Sequence, residues 1–235
     1  MSSGTGVKTR SIQIAASVAC ADLAHLARSI GELEAAGVDA LHFDFCDGRF
    51  APTFLLSCLV LRSVRALTAL RFDVHLYCEY PSLYLDELAN SGADTVIVHL
   101  ESREDYRDVT RRVRQLGMKA GCAVLPATAV PADLEEALPG LSLVIGNTVG
   151  PAYPGQAFDV RGVRNLETLG EIVARRGYET SIGADGGVSV ETLDALLCAG
   201  VDQLVCGTSS IFRPRVDLGE ATRAFRAEVQ SRALR

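Results

Sequence analysis

The sequence predicts an α/β protein of the closed (β/α)₈ TIM-barrel kind, on three observations. Eight short apolar runs alternate strictly with eight helix-like stretches along 235 residues, and strict alternation calls for a parallel sheet. The joints from helix to strand repeat one signature, in Ala36-Gly37-Val38-Asp39, Ser91-Gly92-Ala93-Asp94 and Ala199-Gly200-Val201-Asp202. Its glycine suits the left-handed residue that ends a helix. Eight units are enough for the sheet to close. An open doubly wound sheet is the alternative, weakened because no GxGxxG follows the first strand. One domain is expected over residues 1–235, with residues 1–10 as a flexible N-terminal tail.

In chain order, residues 12–16 read as a short buried strand. Asp22 is placed to cap a helix through Leu23, Leu26, Ile30 and Leu33 to Gly37. Residues 40–45 form the second strand, and a turn-rich segment over 47–53 leads into an apolar helix from Leu55 to Leu67. The third strand covers 72–76. Pro81 fits the first turn of the next helix, which closes at Ser91-Gly92. Strands are expected at 95–100, 119–125, 141–148, 180–184 and 203–206. Helices are expected at 103–116, from Pro131 to Leu138, at 160–176, at 190–199 and from Leu218 onward.

Composition narrows the partners. The net charge of -6 argues against nucleic acid, whose binders concentrate Lys and Arg. Acidity leaves a small anionic substrate open, since backbone amides bind phosphate without a basic surface. Met1 to Arg10 is polar, unlike a signal peptide, and no apolar run is long enough to span a bilayer. The seven cysteines form no CxxC pair, and Cys122, Cys198 and Cys206 fall within apolar patterns. They read as reduced core thiols of a cytoplasmic protein.

The stretch Leu41-His42-Phe43-Asp44-Phe45-Cys46-Asp47-Gly48 carries the first chemistry. Side chains two apart on a strand share a face, so His42 and Asp44 point one way and Leu41, Phe43 and Phe45 the other. Active sites of these barrels lie at the C-terminal strand ends. Those ends also offer Ser17, Asp47, the pair Asp73 and His75, His99, Asn147, and Asp185 ahead of Gly186-Gly187. A single strand-end histidine more often bonds locally than binds a metal. Three histidines on one mouth, among several carboxylates, favour a site for Zn²⁺ or another divalent first-row metal.

These motifs, with Gly117-Met118-Lys119-Ala120-Gly121, resemble the ribulose-phosphate 3-epimerases from about Ile12 to Phe212. The resemblance implies a barrel of the ribulose-phosphate-binding type. It implies that His42, Asp44, His75 and Asp185 bind one divalent metal, Zn²⁺ first and Fe²⁺, Mn²⁺ or Co²⁺ otherwise. It also implies that Asp44 and Asp185 face each other across a ketose phosphate as acid and base. Asp73 and Asp47 are then supporting neighbours, and His99 is a histidine outside the ligand set. A homo-oligomer, dimer or hexamer, is implied too. Epimerising C3 means removing a proton beside a carbonyl and returning one from the opposite face, which calls for two carboxylates.

The surroundings depart from the family pattern. Cys46, Tyr77 and Asn147 stand where common members carry methionines. The loop after strand six reads Ala152-Tyr153-Pro154-Gly155-Gln156 in place of Gly-Phe-Gly-Gly-Gln. Pro154 has no N–H to donate. If the usual amide there serves the phosphate, its loss is worth about 1.5–3 kcal/mol, enough to shift substrate preference. Gly186 and Gly187, at the start of the next helix, and Gly207-Thr208-Ser209 after strand eight read as the phosphate cradle. The latter, with Cys20-Ala21-Asp22-Leu23, is more similar to the allulose-6-phosphate 3-epimerase branch. Two competing readings stand beside the epimerase. One is another phosphosugar reaction on the same barrel, an isomerase or decarboxylase, which would not need the histidine pair. The other is a non-catalytic binder, which would not need two acids.

Overall fold

The computed structural model describes residues 11–151 and 156–234. Its strands are β1 (Gln13–Ser17), β2 (Ala40–Cys46), β3 (Arg71–Tyr77), β4 (Thr95–His99), β5 (Lys119–Val124), β6 (Leu143–Asn147), β7 (Ser181–Asp185) and β8 (Gln203–Cys206). Its helices are α1 (Leu26–Ala35), α2 (Cys58–Arg65), α3 (Leu85–Ser91), α4 (Tyr106–Gln115), α5 (Leu134–Ala137), α6 (Val160–Arg176), α7 (Leu193–Cys198) and α8 (Leu218–Ala233). The strands pair in sequence order, all parallel, and β8 returns to β1 to close the barrel. The predicted fold class is therefore the observed one.

Each joint signature has a physical role. Gly92 takes the left-handed conformation that ends α3, at φ 87°. The aspartate two residues on then accepts the backbone N–H of a strand residue: Asp39 from Ile14 at 2.7 Å, Asp94 from Phe72 at 2.8 Å and Asp202 from Ile182 at 2.9 Å. Helix end, strand start and barrel register are thus fixed by four residues.

Alternation of side chains sorts the barrel into two cores. Leu41, Phe43 and Phe45 face the helices, and Phe43 packs on Phe72 with ring centroids 4.8 Å apart. Complete burial of such a side chain is worth about 1.5–3 kcal/mol. Inside the barrel a smaller cluster holds Ala15, Ala40, Ile97, Leu143, Ile145 and Val205. Below it, Arg71 bonds Asp73 at 2.9 Å and Gln13 and Gln203 at 3.1 and 2.7 Å. That polar plug is the barrel floor. Asp73 belongs to it and supports the barrel from below.

Several helices start later than their apolar pattern suggests. Asp22 does cap its neighbour, accepting from the Ala24 amide at 3.1 Å, but the first turn is a 3₁₀ turn and α1 begins at Leu26. Leu55 and Leu56 precede α2, because the Leu56 amide is drawn to the Asp44 carbonyl at 3.1 Å. Asp105 caps α4 two residues after the expected start, and α5 is a single turn finished by a 3₁₀ turn. The segment after Gly187 forms a turn through the Thr192 hydroxyl, which accepts from the Ser189 amide at 3.0 Å, so α7 begins at Leu193. The helix expected from 190 is therefore present but begins three residues later, and Gly186-Gly187 lead into a turn before it. All seven cysteines are free, but Cys198 is exposed on α7 and is no core thiol. Residues 1–10, read as a tail, lie outside the described residues. Among those described, no helix is long and apolar enough to cross a membrane.

Candidate active site

Strand register assembles the site. Ser17 pairs with His42 between β1 and β2; Asp44 pairs with His75, and Cys46 with Tyr77, between β2 and β3; Asn147 pairs with Asp185 between β6 and β7. Residues on one strand face and at one level thereby converge on the barrel mouth. His42, Asp44, His75 and Asp185 each offer an atom within 4.8 Å of the others.

The contacts inside this cluster are close. His42 Nε2 lies 3.2 Å from Asp44 Oδ1 and 3.3 Å from His75 Nδ1. His75 Nδ1 lies 3.3 Å from Asp185 Oδ2 and 3.8 Å from Asp44 Oδ1. A tetrahedral ion with bonds of about 2.0–2.1 Å sets its ligands about 3.3 Å apart. Two imidazoles and two carboxylates so spaced fit a divalent metal.

The hydrogen-bond network behind His75 also suits a ligand role. His99 Nδ1 sits 3.0 Å from the Glu101 carboxylate, and His99 Nε2 sits 2.9 Å from His75 Nε2. Burial raises the Glu101 carboxyl, but the His99 contact outweighs it and holds it below its ordinary range. An ionised Glu101 accepts a hydrogen bond from His99 Nδ1–H, which keeps the proton of His99 on that nitrogen. His99 Nε2 then accepts from His75, and His75 Nδ1 keeps its lone pair facing the cluster. That arrangement of outer partners orients a metal-ligating histidine. His99 itself stands outside the four-residue group.

The charges are uneven. Burial disfavours a proton on His42, yet Asp44, Asp185 and Asp73 outweigh it and raise its pKa to about 9. Burial, with His99 and His42 nearby, takes His75 down to about 4 despite its contact with Asp185. Burial alone would raise Asp185, but contacts with His75, His42 and Tyr77 hold it at about 2. One positive charge among two carboxylates leaves the centre short of cation, the deficit that a divalent ion fills.

Above the cluster lies a cavity of about 140 Å³. Ser17, Asp44, Tyr77, Asp185, Gly186, Gly187, Gly207, Thr208 and Ser209 all line it. Ser17 Oγ donates to Asp44 Oδ2 at 3.0 Å. Gly186 takes φ 102°, and a Cβ there would come within 2.3 Å of Val149, so only glycine brings the backbone this close. His42, His75, Cys46 and Asn147 are not among the cavity's lining residues. Cys46 turns to the Ala51 carbonyl at 3.6 Å, and Asn147 reaches the Tyr77 hydroxyl at 2.9 Å. Ala152, Tyr153, Pro154 and Gly155 lie outside the described residues. Asp47 accepts the amides of Arg49, Phe50 and Glu79 at 2.8 Å each and ties two loops together.

Two contributors escaped the sequence reading. Glu101 follows His99 by two residues, the spacing that singled out His42 and Asp44, and could have been found by it. Phe50, whose ring lies 4.8 Å from that of His99, sits in a turn-rich loop with no periodicity to expose it.

Fold and site together define a (β/α)₈ barrel protein with a His42–Asp44–His75–Asp185 cluster at its mouth that could hold a divalent metal. The ribulose-phosphate 3-epimerase family profile matches residues 13–212. The chain is 35% identical over 200 residues to the ribulose-phosphate 3-epimerase of Treponema pallidum, covering 85% of this chain and 91% of the relative. It is 32% identical over 226 residues to the chloroplastic ribulose-5-phosphate-3-epimerase of Arabidopsis thaliana, covering 95% and 79%. A solved 3-hexulose-6-phosphate synthase from Salmonella typhimurium superposes with a TM-score of 0.69 at 15% identity, covering 94% of this chain and all of that one, a likeness of fold. The chain belongs to the ribulose-phosphate 3-epimerase family. It is an isomerase, an epimerase of carbohydrate metabolism.

Proposed function

We propose that this protein epimerises C3 of a ketose phosphate by transferring protons between two carboxylates on opposite faces of the substrate. The substrate is ribulose 5-phosphate with xylulose 5-phosphate, or a related pair such as allulose 6-phosphate with fructose 6-phosphate. The observation that carries this reading is the placing of half-buried Asp44 and Asp185 in one cluster with the buried His42 and His75, both aspartates lining the same cavity. Family membership supports the same chemistry.

One carboxylate takes the C3 proton, and the electrons of the C–H bond move onto the adjacent carbonyl oxygen, giving an enediolate. The other aspartate, which enters the turnover as the protonated carboxylic acid, gives its proton to C3 from the far side, so one acid forms as the other is spent. Positioned acid–base groups of this kind contribute about 10²- to 10⁴-fold. Ser17 holds Asp44 through its Oδ2, and Tyr77 holds Asp185 through its Oδ2. The backbone around Gly186–Gly187 and Gly207–Ser209 receives the phosphate at the cavity's far wall. His42, Asp44, His75 and Asp185 would hold one divalent metal, Zn²⁺ first, with Fe²⁺, Mn²⁺ and Co²⁺ as the alternatives. When bound it supplies Lewis-acid polarisation of the carbonyl and offsets developing negative charge. Family membership supports a homo-oligomer, a dimer or a hexamer, and the free cysteines support a cytoplasmic setting.

The test measures bound metal and then follows C3 proton exchange in D₂O by NMR over a panel of ketose phosphates. Exchange with inversion on one of them is expected. No exchange on any ketose phosphate, with metal bound, would refute the epimerase reading.

A further inference from the structure

The two carboxylates of the pair are supported differently. Asp44 has a serine, Ser17, on Oδ2 and the histidines at Oδ1. Asp185 receives the Tyr77 hydroxyl at 3.1 Å and the Asn147 amide at 3.3 Å, and His75 lies 3.3 Å away. Among the described residues, all three contacts fall on Oδ2. The second oxygen of Asp185 is left out of the network.

Donor chemistry fixes the direction of these bonds. Asn147 Nδ2 lies 2.9 Å from the Tyr77 oxygen and 3.3 Å from the Asp185 carboxylate. Only the amide nitrogen can face two acceptors, so the carboxamide has one permitted orientation. The Tyr77 oxygen accepts from Asn147 and sends its single proton to Asp185. The ring is held as firmly as the hydroxyl. It packs on His75 with centroids 4.3 Å apart and on His99 at 4.6 Å, and Tyr77 is 3% exposed. A rigid phenol and a rigid amide thus meet one carboxylate oxygen from β3 and β6.

We infer that Tyr77 and Asn147 are positioning residues for Asp185, locking its Oδ2 so that the other oxygen is aimed at C3 from one face of the substrate. The inference rests on the two-carboxylate reading above. It assigns the pair to one half of the reaction only. Proton transfer on the Asp185 face depends on the lock, and transfer on the Asp44 face does not.

The asymmetry gives a readout that a merely structural role would not move. At equilibrium both epimers must lose overall turnover together, so net rates cannot separate the faces. The ratio of exchange to inversion can. From the epimer whose C3–H faces Asp44, a variant lacking the lock still removes the proton and returns a deuteron from the same side. Exchange without inversion then accumulates. From the other epimer, exchange and inversion slow in step.

The experiment follows deuterium incorporation and inversion separately from each epimer, with wild type, Tyr77→Phe, Asn147→Ala and the double variant, each checked for bound metal and melting temperature. Wild type is expected to invert both epimers. Tyr77→Phe is expected to lower kcat by about ten- to a hundredfold, the loss of one hydrogen bond to a charged group, with KM nearly unchanged. Its exchange-to-inversion ratio should rise from one epimer alone, with metal content kept. The double variant should cost little more than either single one, since the two residues act as a unit. An equal effect on both faces, a change confined to KM, or wild-type kinetics in Tyr77→Phe would overturn the inference while leaving the epimerase reading intact. Failure of wild type to invert either epimer would remove both.

Discussion

His99 and His75 lie ring on ring, with planes 14° apart and centroids 4.8 Å apart, and their Nε2 atoms are 2.9 Å apart. His99, outside the four-residue cluster, therefore orients His75, which would be a ligand within it. Glu101 fixes the proton of His99, and His99 fixes that of His75. Replacing Glu101 by Gln, or His99 by Phe, should weaken metal binding by about 10- to 100-fold, the usual cost of removing an outer partner. A competition titration against a chromogenic chelator measures it. Unchanged affinity in both variants would show that His75 needs no such support.

Metal affinity should depend on pH in a defined sense. Metal-free His42 is protonated up to about pH 9, because the surrounding carboxylates outweigh its burial, whereas His75 stays unprotonated down to about 4. A ligand must give up its proton before it coordinates. One proton should thus be displaced per metal bound between these limits. Apparent affinity should rise about tenfold per pH unit from 5 to 8 and level off above 9. Proton release measured by calorimetry in buffers of different ionisation enthalpy checks the count. A flat profile between pH 5 and 8 would mean that His42 is already unprotonated in the free protein.

The barrel floor can be separated from the chemistry above it. Asp73 is fully buried and its partners are Arg71 and Gln203. Arg71→Ala leaves that carboxylate in the interior without its counter-charge, which should cost about 3–5 kcal/mol of stability in urea unfolding. Turnover of the protein that remains folded should not change. A stable Arg71→Ala variant with impaired turnover would place Asp73 in the reaction instead.

Much of the site could be read from the chain because strands make it legible. A period of two puts His42 with Asp44 and Asp73 with His75, and the strand ends put all of them near one mouth. What periodicity cannot give is height along the barrel. Asp73 and His75 share a face of β3, yet Asp73 joins Arg71 and Gln203 in the floor while His75, one step higher, joins the four-residue cluster, and only pairing with neighbouring strands reveals which level is which. Helix starts were misplaced for a different reason. At Leu55 and Val190 apolar residues continue a helical pattern, but the backbone amides nearby are claimed by Asp44 and Thr192. The Tyr77–Asn147–Asp185 contact was out of reach altogether, since it joins residues 70 and 38 positions apart. Each of the three is legible alone, but nothing local says that they touch.

The central claim is that Asp44 and Asp185 each carry a proton to or from C3, and turnover of the Asp44→Asn and Asp185→Asn variants tests it most directly. Asparagine keeps the shape and an oxygen for the metal but cannot act as a base at neutral pH. Both variants should retain bound metal and lose about 10²- to 10⁴-fold or more in kcat. Either variant working at close to the wild-type rate, with metal bound, would contradict the two-carboxylate mechanism.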